Sequence, residues 1–208
     1  MKVQLIDSMW NDTTPIKRAR VSFNWDGKTF TEEKDNNLLN RLMSEKHYWV
    51  LEWNAFTFMI ECDIPTARQI MRHRTFSYNE LSRRYLDNEH TSFNFEIPEI
   101  RWNKNKPFDD NNKKLQLSSE IQNFYKKWLE VYELLIGEWV AKEVARYVIP
   151  QWMITRFYMT WNLRNWLHFL ELRTNEHSQL EVRNVANEIQ KQIKNEIPKI
   201  MNAYFDNL

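Results

Sequence analysis

RHRTFSYNELSRRY, residues Arg72 to Tyr85, sets four arginines, a histidine, two serines and a glutamate within fourteen positions. How this stretch is read decides the rest of the chain. Just upstream, DIPTARQIM (Asp63 to Met71) reads as a helix start, with Pro65 suited to a first turn. Helical spacing carried onward puts Gln69, Arg72 and His73 at i, i+3 and i+4, so one face offers an amide, a guanidinium and an imidazole. Ser77 and Glu80 then fit S-x-x-E, the capping box that opens a second helix, and Arg84 shares their face. The expectation is two short helices broken at a polar joint. Arginine holds phosphate and carboxylate bidentately, and helix starts add backbone N–H groups, so such a joint makes an anion pocket. The plainer alternative is a glutamate that only caps a helix and arginines that form a solvated charged face.

Composition narrows the function classes. At 208 residues the chain is long enough for one domain with a real core, and ten tryptophans give it ample apolar surface to bury. Net charge is +1, from 29 basic and 28 acidic residues, which argues against a general nucleic-acid binder and makes the arginine cluster local. Cys62 is the only cysteine, so no disulfide forms within the chain and a structural cysteine zinc site is excluded. The start, MKVQLIDSMW, lacks the plan of a signal peptide, and no apolar run reaches membrane-spanning length. A cytoplasmic protein with no membrane partner is expected. Two glycines, Gly27 and Gly137, exclude a G-x-G-x-x-G or Walker loop. A nucleotide cofactor must therefore be held by side chains and helix ends.

Along the chain, Val3 to Ile6 and Ala19 to Phe23 read as short strands, and Leu38, Leu39, Leu42 and Met43 repeat at helical spacing. Phe56 to Ile64 reads as a buried strand leading directly into the helix toward Arg72, with Cys62 as a small core residue. TSFNFEIP alternates like a strand, and Asn103 to Lys114 reads as a polar loop. Leu115 to Leu135 is a long amphipathic helix whose stripe is core or subunit interface, and a second helix follows Gly137 and ends before Pro150. Gln151 to Trp161 reads as a strand buried on both faces, with Arg156 in its middle. That charge implies a glutamate partner or a bound anion. Asn162 is a good N-cap for the next helix, on which Arg164 and His168 lie one turn apart. Arg173, nine residues past Arg164, falls half a turn out of phase at about 100° per residue, so the helix could serve two ligands. Leu180 to Tyr204 is an amphipathic helix interrupted by Pro198. The fold expected is a single α/β domain of the α+β type, a mostly antiparallel sheet flanked by helices.

RHR-x-x-S-x-N-E-x-S-x-R-Y resembles the signature of the flavin-dependent thymidylate synthases, with every fixed position filled. RARVSF, EVARYVIP, TRF, N-x-R, FL-x-LR and H-x-Q follow in the family's order, so the resemblance covers nearly the whole chain. His47 and Glu52 of HYWVLEW match the family's H-x-T-P-F-E-H, while Trp49, Val50 and Trp53 replace its threonine, proline and second histidine. His168 stands where the family usually has asparagine, and Arg83 where a small residue often lies. What the resemblance implies is a reductive methylation of dUMP to dTMP. Methylenetetrahydrofolate gives the carbon, FAD reduced by NADPH gives the hydride, and the sites are shared between subunits of a homotetramer. Ser22, His47, Arg72, His73, Arg74, Glu80, Asn162, Arg164 and His168 are then the flavin ligands. Gln69, Arg72, Glu80, Leu81, Ser82, Arg83, Arg84, Arg156 and Arg173 form the dUMP site, with Arg173 polarising the uracil as the catalytic residue. A relative that installs hydroxymethyl on dUMP, and a single-stranded nucleic-acid binder using arginine and tryptophan stacking, are the competing readings.

Overall fold

Alternating residues in KVQLIDSM make β1 (Lys2–Met9), an edge strand that turns Val3 and Leu5 inward. The computed structural model describes residues 1–9, 11–21, 29–85, 95–103 and 106–207. Helix α1 (Thr14–Ala19) follows, then α2 (Glu32–Ser44), whose start is capped by the Thr31 hydroxyl and whose Leu39, Leu42 and Met43 are buried. Ala19 therefore ends a helix where a strand was expected, and Ser22 and Phe23 lie outside the described residues. A 3-10 turn over Tyr48–Leu51 buries Val50 and Leu51 and leaves Trp49 and Trp53 exposed.

Next come β2 (Ala55–Asp63) and α3 (Ile64–Ile70), joined without a loop as the sequence predicts. Asp63 makes the junction abrupt. Its carboxylate accepts from the Thr66 N–H at 2.9 Å and the Thr66 hydroxyl at 2.8 Å, and Pro65 needs no N–H partner. The helix stops at Ile70, so Arg72 and His73 sit in a turn beyond it and do not share a helical face with Gln69. The stop is capped from outside: the Tyr78 hydroxyl reaches the carbonyls of Ile70 and His73 at 3.1 and 2.9 Å.

Ser77–Glu80 is not a capping box but strand β3. The open edge of the sheet offers it four paired residues, and Tyr78 turns inward against Phe76 and Phe157. Pairing and ring burial outweigh the local helix signal. Two short strands, β4 (Arg101–Asn103) and β5 (Lys106–Pro107), form a small hairpin, and Phe108 beside it is buried. Of TSFNFEIP, Phe95 makes an isolated bridge to Met153, while residues 91–94 lie outside the described residues.

Helix α4 (Asn111–Gly137) starts inside the expected polar loop, because Asp110 caps it by accepting from the Lys113 N–H at 2.9 Å. Its Tyr125, Trp128 and Tyr132 pack with Ala145 and Met153 in a second small core, while Leu115, Phe124 and Leu134 stay exposed. The expected second helix shrinks to α5 (Lys142–Ala145) and one 3-10 turn, Arg146–Val148.

Strand β6 (Ile154–Asn162) pairs with β2 from Ala55↔Asn162 to Asp63↔Ile154. The sheet order is β1-β2-β6-β3, antiparallel throughout. β6 is buried on one face only: Thr155, Phe157 and Met159 point inward, Arg156 and Tyr158 outward. Asn162 caps α6 (Leu163–Arg173), which buries Leu163, Trp166, Leu167, Phe169 and Leu170, and the Trp166 indole donates to the Phe56 carbonyl at 3.2 Å. Helices α7 (Leu180–Glu196) and α8 (Pro198–Phe205) break at Pro198 as the sequence predicts and complete the main core. The Gln192 amide on α7 accepts from Leu5 N–H and donates to the Val3 carbonyl, closing the free edge of β1. The α+β architecture with an antiparallel sheet is thus the one expected.

Candidate active site

The turn after α3 and the end of α6 meet at His73. Arg173 donates from Nε to His73 Nε2 at 2.8 Å, and the ring stands edge-on to Phe169, with centroids 4.9 Å apart. Burial lowers the His73 pKa to about 4, and the charges of Arg173 and His168 add to that. His73 is therefore a neutral acceptor at physiological pH. Arg173 and His168 both lie close enough to His73 to act on its charge, so residues from two faces of α6 meet at one histidine. Arg72 and Arg74, in the same turn, are exposed cations whose side chains have no partner among the described residues.

A cleft of about 470 Å3 lies where β3 leaves the sheet, lined by Arg68, Glu80, Leu81, Ser82, Arg83 and Arg146 with Thr155 at its floor. Thr155 donates its hydroxyl to Glu80 Oε1 at 2.7 Å, and the Leu81 N–H donates to the Arg156 carbonyl at 2.8 Å. Arg83 reaches the Ile154 carbonyl at 3.0 Å, and burial lowers its pKa. Arg84 turns outward to Glu143 at 3.0 Å. Three guanidinium groups facing one carboxylate favour an anion in this cleft. Arg68 and Arg146 are absent from the residues expected from the sequence. Arg146 lies in the EVARYVIP segment, which was the available signal. Arg68 was hidden because its α3 position looked like ordinary helix surface.

Other expected residues fall elsewhere. Arg156 lies on the opposite face of β6 from the cleft and pairs with Glu61 across the strands at 2.5 Å, which is the glutamate partner its position called for. Gln69 lines a separate cavity of about 630 Å3 with Asp63, Glu99, Arg101, Trp152 and Gln179, and its Oε1 is buried without a partner among the described residues. Arg164 is paired with Glu52, and the Asn162 side chain is committed to capping, accepting from Asn165. His47 sits 3.5 Å from Glu45. Ser22 lies outside the described residues. One chain therefore separates its expected site residues into several groups.

The fold and these clefts define a class: an α+β protein with an arginine-lined cleft and, with only two glycines in its sequence, no glycine phosphate loop. Residues 4–199 match the family model Thy1, thymidylate synthase complementing protein, and the chain belongs to that family. A flavin-dependent thymidylate synthase of Thermotoga neapolitana is 36% identical over 203 residues, 97% of this chain and 89% of the relative. That of Pseudothermotoga lettingae is 38% identical over 185 residues, 88% of this chain and 80% of the relative. Among solved structures, PolB from Streptomyces cacaoi, a UMP/dUMP methylase bound with 5-Br dUMP, superposes with a TM-score of 0.86. It is 30% identical, over 99% of this chain and 94% of PolB.

Proposed function

We propose that this chain is a flavin-dependent thymidylate synthase, converting dUMP to dTMP by reductive methylation. Methylenetetrahydrofolate is the carbon donor, NADPH the reductant and FAD the resident cofactor. The observation that carries the reading is the position of Cys62. It is 2% exposed on the inward face of β2, and burial raises its thiol pKa. A thiol so placed cannot attack C6 of a uracil ring, so a route through a cysteine nucleophile is closed. Activation then falls to charged side chains.

When bound, the flavin supplies the hydride that completes the methyl group. Arg72 and Arg74, exposed cations without a side-chain partner among the described residues, fit its diphosphate, and His73 sets the direction of Arg173 toward the same region. Arg173 keeps its two terminal nitrogens for the uracil carbonyl oxygens, where a fixed guanidinium stabilises charge that develops on the ring. The Arg68, Arg83 and Arg146 cleft holds the nucleotide phosphate, with Ser82 as a further donor.

Glu80 and Ser82 border one cleft while His73 and Arg173 stand at another place on the same chain, which supports a homotetramer whose sites are completed by a neighbouring copy. The exposed Leu115, Phe124 and Leu134 of α4 supply apolar contact area for it. Among the described residues no helix is long and apolar enough to cross a membrane, in keeping with work in the cytoplasm on a soluble nucleotide.

The test is direct. Purified protein is assayed with FAD, NADPH, methylenetetrahydrofolate and dUMP, and the nucleotide product is identified by mass. Formation of dTMP supports the reading. Hydroxymethyl-dUMP as product, or salt-sensitive oligonucleotide binding with no flavin taken up, overturns it. UMP assayed in parallel measures discrimination at the sugar.

A further inference from the structure

Arg84 follows Ser82 and Arg83 directly in the chain, yet it does not share their cleft. Its Nε donates to Glu143 Oε2 at 3.0 Å, and its guanidinium carbon stands 5.7 Å from the centroid of the Tyr85 ring. Glu143 lies on α5, and its backbone carbonyl accepts from Arg146 Nε at 3.3 Å. Arg146 does line the cleft. One residue thus touches two arginines: its main chain keeps Arg146 at the cleft, and its carboxylate draws Arg84 outward. The side chains of Arg84 and Glu143 are 56% and 52% exposed, so the ion pair is weak and open to exchange. The contact runs through Nε, whereas a phosphate engages a guanidinium through two parallel N–H groups.

We propose that Glu143 is an anionic latch on the cleft, an autoinhibitory contact that holds Arg84 away until a nucleotide phosphate takes the place of its carboxylate. The inference rests on the dUMP reading of this cleft, and the ligand class is a nucleoside monophosphate. Glu143 is a positioning residue: it acts on the ligand through Arg84. The carboxylate occupies the Arg84 guanidinium, and its own charge beside Arg146 opposes a second anion there. Substitution separates the two contacts. Glu143→Gln is close to isosteric, leaves the carbonyl that holds Arg146 in place, and removes the charge that retains Arg84.

Binding of dUMP to the full chain is measured by titration calorimetry at constant pH and ionic strength. Glu143→Gln is expected to bind dUMP about fivefold more tightly than the parent, the upper scale of an exposed ion pair. Arg84→Ala should bind it about tenfold more weakly, having lost a charge-assisted partner for the phosphate. Adding Glu143→Gln to Arg84→Ala should change the affinity by less than about twofold, since no guanidinium is left to release. Equal tightening with and without Arg84 makes Glu143 a general field effect and overturns the latch. Parental or weaker affinity in Glu143→Gln also overturns it, as does parental affinity in Arg84→Ala. Each of these results leaves the dUMP reading intact. A parent that takes up no dUMP overturns that reading itself, and this inference with it.

Discussion

Arg173 Nε donates to His73 Nε2 across 2.8 Å, joining two residues a hundred positions apart in the chain. With Nε2 used as acceptor, the neutral ring carries its proton on Nδ1. The contact spends only the Nε–H of Arg173. It also ties the RHR turn to the end of α6, so neither can shift without the other.

Replacing Arg173 with lysine keeps the charge but loses both this contact and the planar fork. The expected result is a loss of turnover of about a hundredfold or more, the scale seen when a donor to a developing charge is removed. The KM for dUMP should rise by much less. Steady-state kinetics on flavin-loaded Arg173→Lys checks this, and a parental kcat would take Arg173 out of the chemistry.

His73 gives the stability a defined pH dependence. Its folded pKa of about 4 lies below the ordinary histidine value, so between about 6.5 and 4 the unfolded chain binds more protons than the folded one. Stability is therefore full above that window and declines as pH falls through it. His73→Gln keeps an acceptor for Arg173 but does not titrate. Denaturant midpoints measured from pH 7 to 4 should decline less in this variant than in the parent, and equal slopes would assign the effect to other groups.

The phosphate assignment predicts that Arg146→Ala weakens dUMP binding about tenfold or more, as expected for loss of a charge-assisted hydrogen bond. Turnover at saturating dUMP should change little. The loss ought to shrink as salt is raised, since both bind less tightly when screened. Equal KM values for the variant and the parent would exclude Arg146 from the cleft's function.

Cys62→Ala should retain dTMP formation at a stability cost of about 1 kcal/mol, the scale of a small core truncation. Thermal unfolding and product assay together test this. A folded variant without turnover would restore the cysteine route.

The sequence by itself determined much of this protein. Asp63 and Pro65 set the start of α3, Asn162 the start of α6, and Pro198 the break between α7 and α8, because caps and proline act within one turn of where they stand. The helical repeat of Leu39, Leu42 and Met43 in α2 was legible from periodicity and the strand at Phe56 from its aromatic and β-branched residues, and the signature from Arg72 to Tyr85 identified the family. Ser77 to Glu80 was not legible, since S-x-x-E carries a local helix signal and only the vacant edge of β6 makes it a strand. The same limit applied to Arg156, whose partner Glu61 is fixed by register between strands 95 residues apart. It applied to Arg146 as well, which enters the cleft only after α4 folds back on the chain around Met153. Caps and periodicity are short-range and can be read from neighbouring residues. Strand pairing, the end of α3 under Tyr78 and the meeting of Arg173 with His73 depend on long-range packing, which the tertiary structure alone decides.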